Sequence, residues 1–88
     1  MSDNQSTAGL RTQIAGIPLA QLSASHPTPF YVYDQAKIVE RIDDLKAFDV
    51  VRYAQKACSN IAVLDICRRH GALVDAVSAG EILRAEAA

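Results

Sequence analysis

Val50-Val51-Arg52-Tyr53-Ala54-Gln55-Lys56-Ala57-Cys58-Ser59-Asn60 opens as a short apolar run and closes on small and polar residues. The opening suits a buried strand, and the residues after Asn60 read as a helix. One lysine falls where the strand ends. A lysine at the carboxyl end of a parallel strand stands where α/β barrels keep their chemistry. It is also the side chain that forms Schiff bases with carbonyl compounds. Strand alternation puts Arg52, Ala54 and Lys56 on one face, provided the extended backbone persists to Lys56. Val51, Tyr53 and Gln55 share the other face. Ala54 beside Lys56 leaves room for something flat.

Downstream, Asn60 is placed to cap a helix over Ile61 to His70, with Val63, Leu64 and Cys67 inward. Arg68, Arg69 and His70 fall in its last turn, where positive charge suits the helix dipole. Gly71 is the expected residue just past the end. Leu73-Val74-Asp75-Ala76-Val77-Ser78 reads as a second buried strand. An acid in such a strand is costly to bury without a partner. Asp75 and Val77 share one face, and Val74, Ala76 and Ser78 the other. Ser78-Ala79-Gly80-Glu81 matches a capping box, and the helix it opens is still running at Ala88.

Upstream, Gln35 to Ala47 has helical spacing at Ile38, Val39, Ile42 and Leu45. Lys37, Glu40, Arg41, Asp44 and Lys46 lie on the other face, and Glu40 and Asp44 are expected to add no helpful ion pair. The apolar stripe reads as a packing face, with Asp34 as a plausible N-cap. Phe30-Tyr31-Val32-Tyr33 is aromatic and β-branched and is expected to be a strand. His26-Pro27-Thr28-Pro29 forbids helix just before it. Gly16 to Leu22 fits either a short strand or a single helical turn. Met1 to Gln13 is polar and is expected to be a disordered lead-in. It has no apolar segment of the kind a signal peptide needs.

The 88 residues hold one domain at most. Nine basic and ten acidic residues give a net charge of −1, so nothing points to nucleic acid or an anionic membrane surface. No apolar run approaches the roughly eighteen residues of a membrane span. Cys58 and Cys67 form no CxxC pair and read as free thiols in a reducing, cytoplasmic compartment. His26 and His70 have no ligand-like spacing, so no metal site is expected. The expected order is strand, helix, strand, helix, strand, helix: an α/β pattern of parallel strands with crossover helices. A full (β/α)8 barrel takes roughly 250 residues. The chain is therefore expected to be the front of a longer protein, cut inside a helix, and poorly folded and inactive alone.

Three ordered segments carry a resemblance. Thr28-Pro29-Phe30-Tyr31-Val32-Tyr33-Asp34, Arg52-Tyr53-Ala54-Gln55-Lys56-Ala57 and Asp75-Ala76-Val77-Ser78-Ala79-Gly80-Glu81 resemble the opening of the diaminopimelate decarboxylase family. These are fold-type III pyridoxal-phosphate enzymes, related to ornithine and arginine decarboxylases and more distantly to alanine racemase. The resemblance covers about residues 27 to 88. It implies the start of an alanine-racemase-like (β/α)8 barrel over residues 34–88. It also implies that residues 14–33 join a second, β-rich domain, behind a lead-in over residues 1–13.

The resemblance implies that Lys56 holds pyridoxal 5′-phosphate through a Schiff base. The physical reading agrees, since an amine must be neutral to attack an aldehyde and desolvation favours the neutral form. Ala54 matches the family's small residue beneath the cofactor. Asp75 matches its acid on the adjacent strand, with an orienting or electrostatic role. Ser78 sits at a strand end and can line the site, although capping explains it equally well. Cys58 stands where the family usually has asparagine. The reaction implied is decarboxylation of meso-diaminopimelate to L-lysine, the last step of lysine biosynthesis, by a homodimer. The alternatives are an ornithine- or arginine-type decarboxylase, a racemase, or a non-catalytic pyridoxal-phosphate-binding barrel. The run after Lys56 disfavours the racemase. Taken alone, a strand-end lysine is more often a solvated residue, and Asp75 is as readily a structural ion-pair partner. His70 reads as a helix-end residue and not as a base.

Overall fold

A computed structural model describes residues 9–88. Most of the polar lead-in lies outside the described residues; its last residue, Gln13, is already paired in a strand. The chain divides into two compact units at the Asp34–Gln35 junction.

The first unit is built on a tight hairpin. Strand β1 (Gln13–Ile14) pairs antiparallel with β2 (Ile17–Pro18), with Ile14 opposite Ile17. Two residues join them, Ala15 at φ 54° and Gly16 at φ 80°. Two successive positive φ angles match the twist of a two-residue hairpin, which glycine meets without steric cost and alanine does not. Helix α1 (Leu19–Ser25) follows at once. Gly16 to Leu22 is thus both of its alternatives in turn, strand and then helix. Helix α1 has no side-chain cap and buries no residue.

Phe30-Tyr31-Val32-Tyr33 is not a strand. Tyr31 and Tyr33 still stack, ring centroids 6.5 Å apart, as residues two apart on an extended chain can. A strand also needs a sheet to join, and neither sheet among the described residues includes these four. Tyr31 is 88 % exposed. β-propensity reflects a fit to a half-buried pleated surface, and no such surface is formed here.

The second unit is a β-α-β element flanked by two helices. Strand β3 (Arg52–Ala54) pairs in parallel with β4 (Leu73–Asp75), in register Arg52↔Leu73, Tyr53↔Val74 and Ala54↔Asp75. A parallel pair needs a long crossover, and α3 (Ile61–Arg69) supplies it. Helix α2 (Gln35–Asp43) and α4 (Ala79–Ala87) both pack on α3. Both strands are shorter than expected. Val50 and Val51 precede β3, although the Leu73 N–H still reaches the Val51 carbonyl at 2.9 Å. Residues 76–78 leave the ladder, since β3 has turned away beyond Ala54 and offers them no partner.

Helix α3 is the best-specified element. The Asn60 Oδ1 accepts the N–H groups of Ala62 at 2.9 Å and Val63 at 3.2 Å. Such a cap contributes about 1 kcal/mol. At the other end Gly71 takes φ 85°. The Ala72 N–H then bonds the Cys67 carbonyl and the Gly71 N–H the Arg68 carbonyl, the paired bonds of a left-handed helix stop. Between the caps Val63, Leu64, Ile66 and Cys67 are buried, and Ala72 joins them. The stripe is wider than the three residues expected, because α3 meets the sheet and two helices. Burial of Leu64 alone stabilises by about 1.5–3 kcal/mol.

Helix α2 stops at Asp43, short of the expected Ala47. Beyond it the chain tightens into i→i+3 bonds at Leu45, Lys46 and Phe48. Its charged face is paired, contrary to expectation. Lys37 meets Glu40 at 3.2 Å and Arg41 meets Asp44 at 2.9 Å, both at i,i+3 spacing. The i,i+3 register brings these side chains together where i,i+4 does not. All four are about half exposed or more, so the pairs contribute only a few tenths of a kcal/mol each.

Candidate functional site

The β3–β4 pair has two unlike faces. Tyr53 and Val74, register partners, are half-buried on the side covered by α3. Arg52, Ala54, Leu73 and Asp75 are all exposed on the opposite side. Three of the four candidate residues stand on this open face or at its carboxyl end. Ala54 and Asp75 are direct register partners, side by side across the ladder. Lys56 follows two residues beyond Ala54.

The backbone at Lys56 differs from the extended form expected. Gln55–Ala57 is a single 3-10 turn, entered from Ala54 at φ −73°, ψ 97° and left through Cys58 at φ −164°, ψ 115°. The chain turns toward α3 instead of continuing the strand, so Lys56 shares no pleat face with Ala54. Its side chain is exposed. The burial expected around its amine is not supplied by the described residues. Among those residues Lys56 and Asp75 form no ion pair with each other.

The fourth candidate, Ser78, is the N-cap of α4, in extended backbone at φ −149°, ψ 160°. Its Oγ accepts the Glu81 N–H at 3.2 Å. A hydroxyl that accepts one bond keeps its own O–H to donate. The box is completed by Glu81, whose Oε1 accepts a backbone N–H at 2.9 Å, from Val77 and not from Ser78 itself. Capping and lining the site are therefore compatible roles for the same oxygen.

The turn that carries Lys56 is held from several sides. The Tyr53 hydroxyl donates to the Cys58 carbonyl at 2.8 Å. The Gln55 carbonyl accepts the Cys58 N–H at 3.1 Å and the Ser59 hydroxyl at 3.2 Å. Burial pushes the Tyr53 phenol above its ordinary range, with the neighbouring cysteines adding in the same direction. Burial likewise pushes the Cys67 thiol up, which favours an inert thiol over a nucleophile. Neither cysteine is in a disulfide.

Gln55 is the residue whose weight is not obvious from sequence. It is fully buried, at 0 % exposure. Its Nε2 donates to the Glu81 carbonyl of α4 at 2.7 Å. Its Oε1 is buried with no hydrogen-bond donor among the described residues. Leaving such an acceptor unmade costs about 1–3 kcal/mol. The alternation that groups Val51, Tyr53 and Gln55 is the signal that places it inward.

The open face fits a flat, aldehyde-bearing cofactor. Ala54 adds no bulk, Asp75 brings a carboxylate beside it, and Lys56 brings a primary amine just past the strand end. Among the described residues no group of three or more His, Cys, Asp or Glu side chains could hold a metal ion. No helix among them is long and apolar enough to cross a membrane.

The chain is similar to proteins named diaminopimelate decarboxylase. It is 56 % identical over 73 residues to that of Streptomyces coelicolor, which covers 83 % of this chain and 17 % of the relative. It is 51 % identical over 77 residues to that of Escherichia coli K12, covering 88 % of this chain and 18 % of the relative. It is 36 % identical over 83 residues to that of Bacillus subtilis, covering 86 % and 19 %. The chain thus spans less than a fifth of the length of these curated relatives. No solved structure matches it significantly. Residues 35–88, the second unit, match the family model described as pyridoxal-dependent decarboxylase, pyridoxal binding domain. The chain therefore belongs to the pyridoxal-dependent decarboxylase family, and its β-α-β unit is part of that family's pyridoxal binding domain.

Proposed function

We propose that the protein to which this chain belongs decarboxylates meso-diaminopimelate to L-lysine with pyridoxal 5′-phosphate, in the cytoplasm and as a homodimer. The observation that carries this reading is the grouping at the carboxyl end of β3–β4: Ala54 and Asp75 in register on the open face, with Lys56 just beyond. The printed names of the relatives support the choice of substrate. In this reading residues 34–88 begin a (β/α)8 barrel and residues 14–33 join a second, β-rich domain.

Each residue has a stated task. The Lys56 Nζ is the atom that holds the cofactor. Its exposure leaves the amine open to an incoming aldehyde. Ala54 leaves clearance for a planar ring on the sheet. Asp75 presents a carboxylate next to that clearance and orients what lies there by charge. The Ser78 Oγ, already fixed by the Glu81 N–H, can donate its proton into the same region. When bound, pyridoxal phosphate supplies the electron sink that accepts the pair released as the substrate's carboxylate leaves as carbon dioxide. Closure of the open face by the rest of a barrel would exclude water from Lys56 and strengthen the charge of Asp75.

The test uses the full-length protein. Wild type should release lysine and carbon dioxide from meso-diaminopimelate and show the visible absorption band of a lysine-bound cofactor. Lys56→Ala should lose both. A band with carbon dioxide release from ornithine or arginine, and none from diaminopimelate, would move the substrate to the neighbouring decarboxylases. A band without any decarboxylation would favour a binding protein.

A further inference from the structure

We propose that Gln55 is a positioning residue for Lys56: it latches the turn bearing the lysine to the first turn of α4. The inference rests on the reading of Lys56 as the cofactor-holding amine. Gln55 adjoins Lys56, is fully buried, and reaches across 26 positions of sequence to the Glu81 carbonyl at 2.7 Å. A carbonyl inside a helix has a second lone pair, so this bond adds to the helix's own ladder. Glu81 is already committed twice at the end of β4. Its N–H bonds the Ser78 Oγ, and its carboxylate bonds the Val77 N–H. One residue of α4 therefore ties the turn after β3 to the chain leaving β4. The latch holds Lys56 on one side and Ser78 on the other in a fixed relation.

A space-filling role explains the same position less well. An apolar side chain of similar length would fill the volume without burying an Oε1 that has no donor among the described residues. What an apolar side chain cannot supply is the N–H that grips Glu81. The other restraints, Tyr53 to the Cys58 carbonyl and Ser59 to the Gln55 carbonyl, act within the turn. They shape it without setting where it stands against α4. The Arg84 guanidinium reaches the Ser59 carbonyl only at 3.5 Å, at the limit of a hydrogen bond. Gln55 thus carries the short tether between the lysine turn and the helix.

The test compares Gln55→Met and Gln55→Asn in the full-length protein. Methionine keeps the length and loses the donor; asparagine keeps the amide and loses the reach. Both apoproteins should fold, and Gln55→Met should melt no lower than wild type. Amide hydrogen exchange over residues 55–59 of the apoprotein should accelerate in both. In the loaded enzyme kcat should fall about 10–100-fold with KM little changed, the effect of a misplaced reacting group. The pH at which the bound cofactor's absorption band changes should shift. Wild-type exchange, kcat and band profile in either folded variant would overturn the proposal and leave Gln55 a space-filler. Should Gln55→Met fail to fold, Gln55→Asn decides by the same readouts. Failure of the underlying reading is distinguishable. If Lys56→Ala keeps the absorption band, Lys56 is not the attachment residue, while the apoprotein exchange still reports whether the latch exists.

Discussion

The two faces of the β3–β4 pair come from the same six residues and have opposite fates. Tyr53 and Val74 turn toward α3 and are partly covered by it. Arg52, Ala54, Leu73 and Asp75 face away and remain exposed, Leu73 at 51 %. The covered face is organised for stability: a doubly capped helix, four buried residues on α3, and a tyrosine closing the following turn. The open face presents space and a carboxylate, with a lysine just past its end, and in the proposed reading it is the face that carries the chemistry. Covered and open residues alternate along β3 as far as Ala54, and the turn that follows takes Lys56 off the pleat. Gln55 is the exception, an inward residue that holds an outward one.

Substitutions on the two faces should therefore be separable. The largest effect belongs to the covered face. Leu64→Ala, at 2 % exposure, should destabilise by about 2–5 kcal/mol, read as a lower denaturation midpoint of the full-length apoprotein. The comparison would break if this change weakened cofactor binding while leaving the apoprotein midpoint unmoved. Next comes the open face. Ala54→Leu should leave the apoprotein midpoint nearly unchanged, yet weaken pyridoxal phosphate binding by about tenfold or more in fluorescence titration. Overpacking costs about 1–3 kcal/mol where the cofactor must lie flat. A large loss of apoprotein stability there would mean that the face is not open.

A smaller effect sharpens the account of α3. Asn60→Ala removes the acceptor for two N–H groups and should cost about 1 kcal/mol. Faster amide exchange should be confined to the first turn of α3, and Asn60→Ser should restore much of the protection. The smallest effect concerns Asp65. Arg68 donates to it at 2.6 Å and Arg69 lies at 3.1 Å. The Arg68 hydrogen bond, with the charge of both arginines, holds its carboxyl below the usual range. A depressed folded pKa favours the folded state above the unfolded value of about 3.9 and loses that advantage as pH falls through the folded value. Asp65→Asn should be slightly less stable than wild type at neutral pH and low salt. The gap should close in acid and in high salt, because the site is open to solvent.

Local chemistry made much of this legible from sequence. Asn60 before an apolar run, Gly71 after it, and the Ser78–Glu81 spacing each act within one turn of helix, and the backbone obeys each of them. The lysine just past a strand end and the acid on the neighbouring strand were also readable from the apolar runs, whereas alternation fails at Lys56, where the 3-10 turn takes it off the face of Ala54. What could not be read depends on partners. Phe30-Tyr31-Val32-Tyr33 has strand composition but belongs to no sheet among the described residues. The ends of β3 and β4 depend on where each stops finding the other, and Val77 has lost its neighbour by then. The polar character of Gln55 argues against burial until the Glu81 carbonyl, far away in sequence, is seen to receive its amide. The ion pairs of α2 depend on rotamers that bring Lys37 to Glu40 and Arg41 to Asp44 at i,i+3 spacing, which apolar periodicity does not report.

The claim on which the account stands is that the Lys56 Nζ holds the cofactor. Borohydride reduction of the full-length, cofactor-loaded protein, followed by peptide mass mapping, tests it most directly. The account predicts that the phosphopyridoxyl group is found on Lys56 and is absent from Lys56→Ala treated in the same way. The group on another lysine, with Lys56 unmodified, would contradict it.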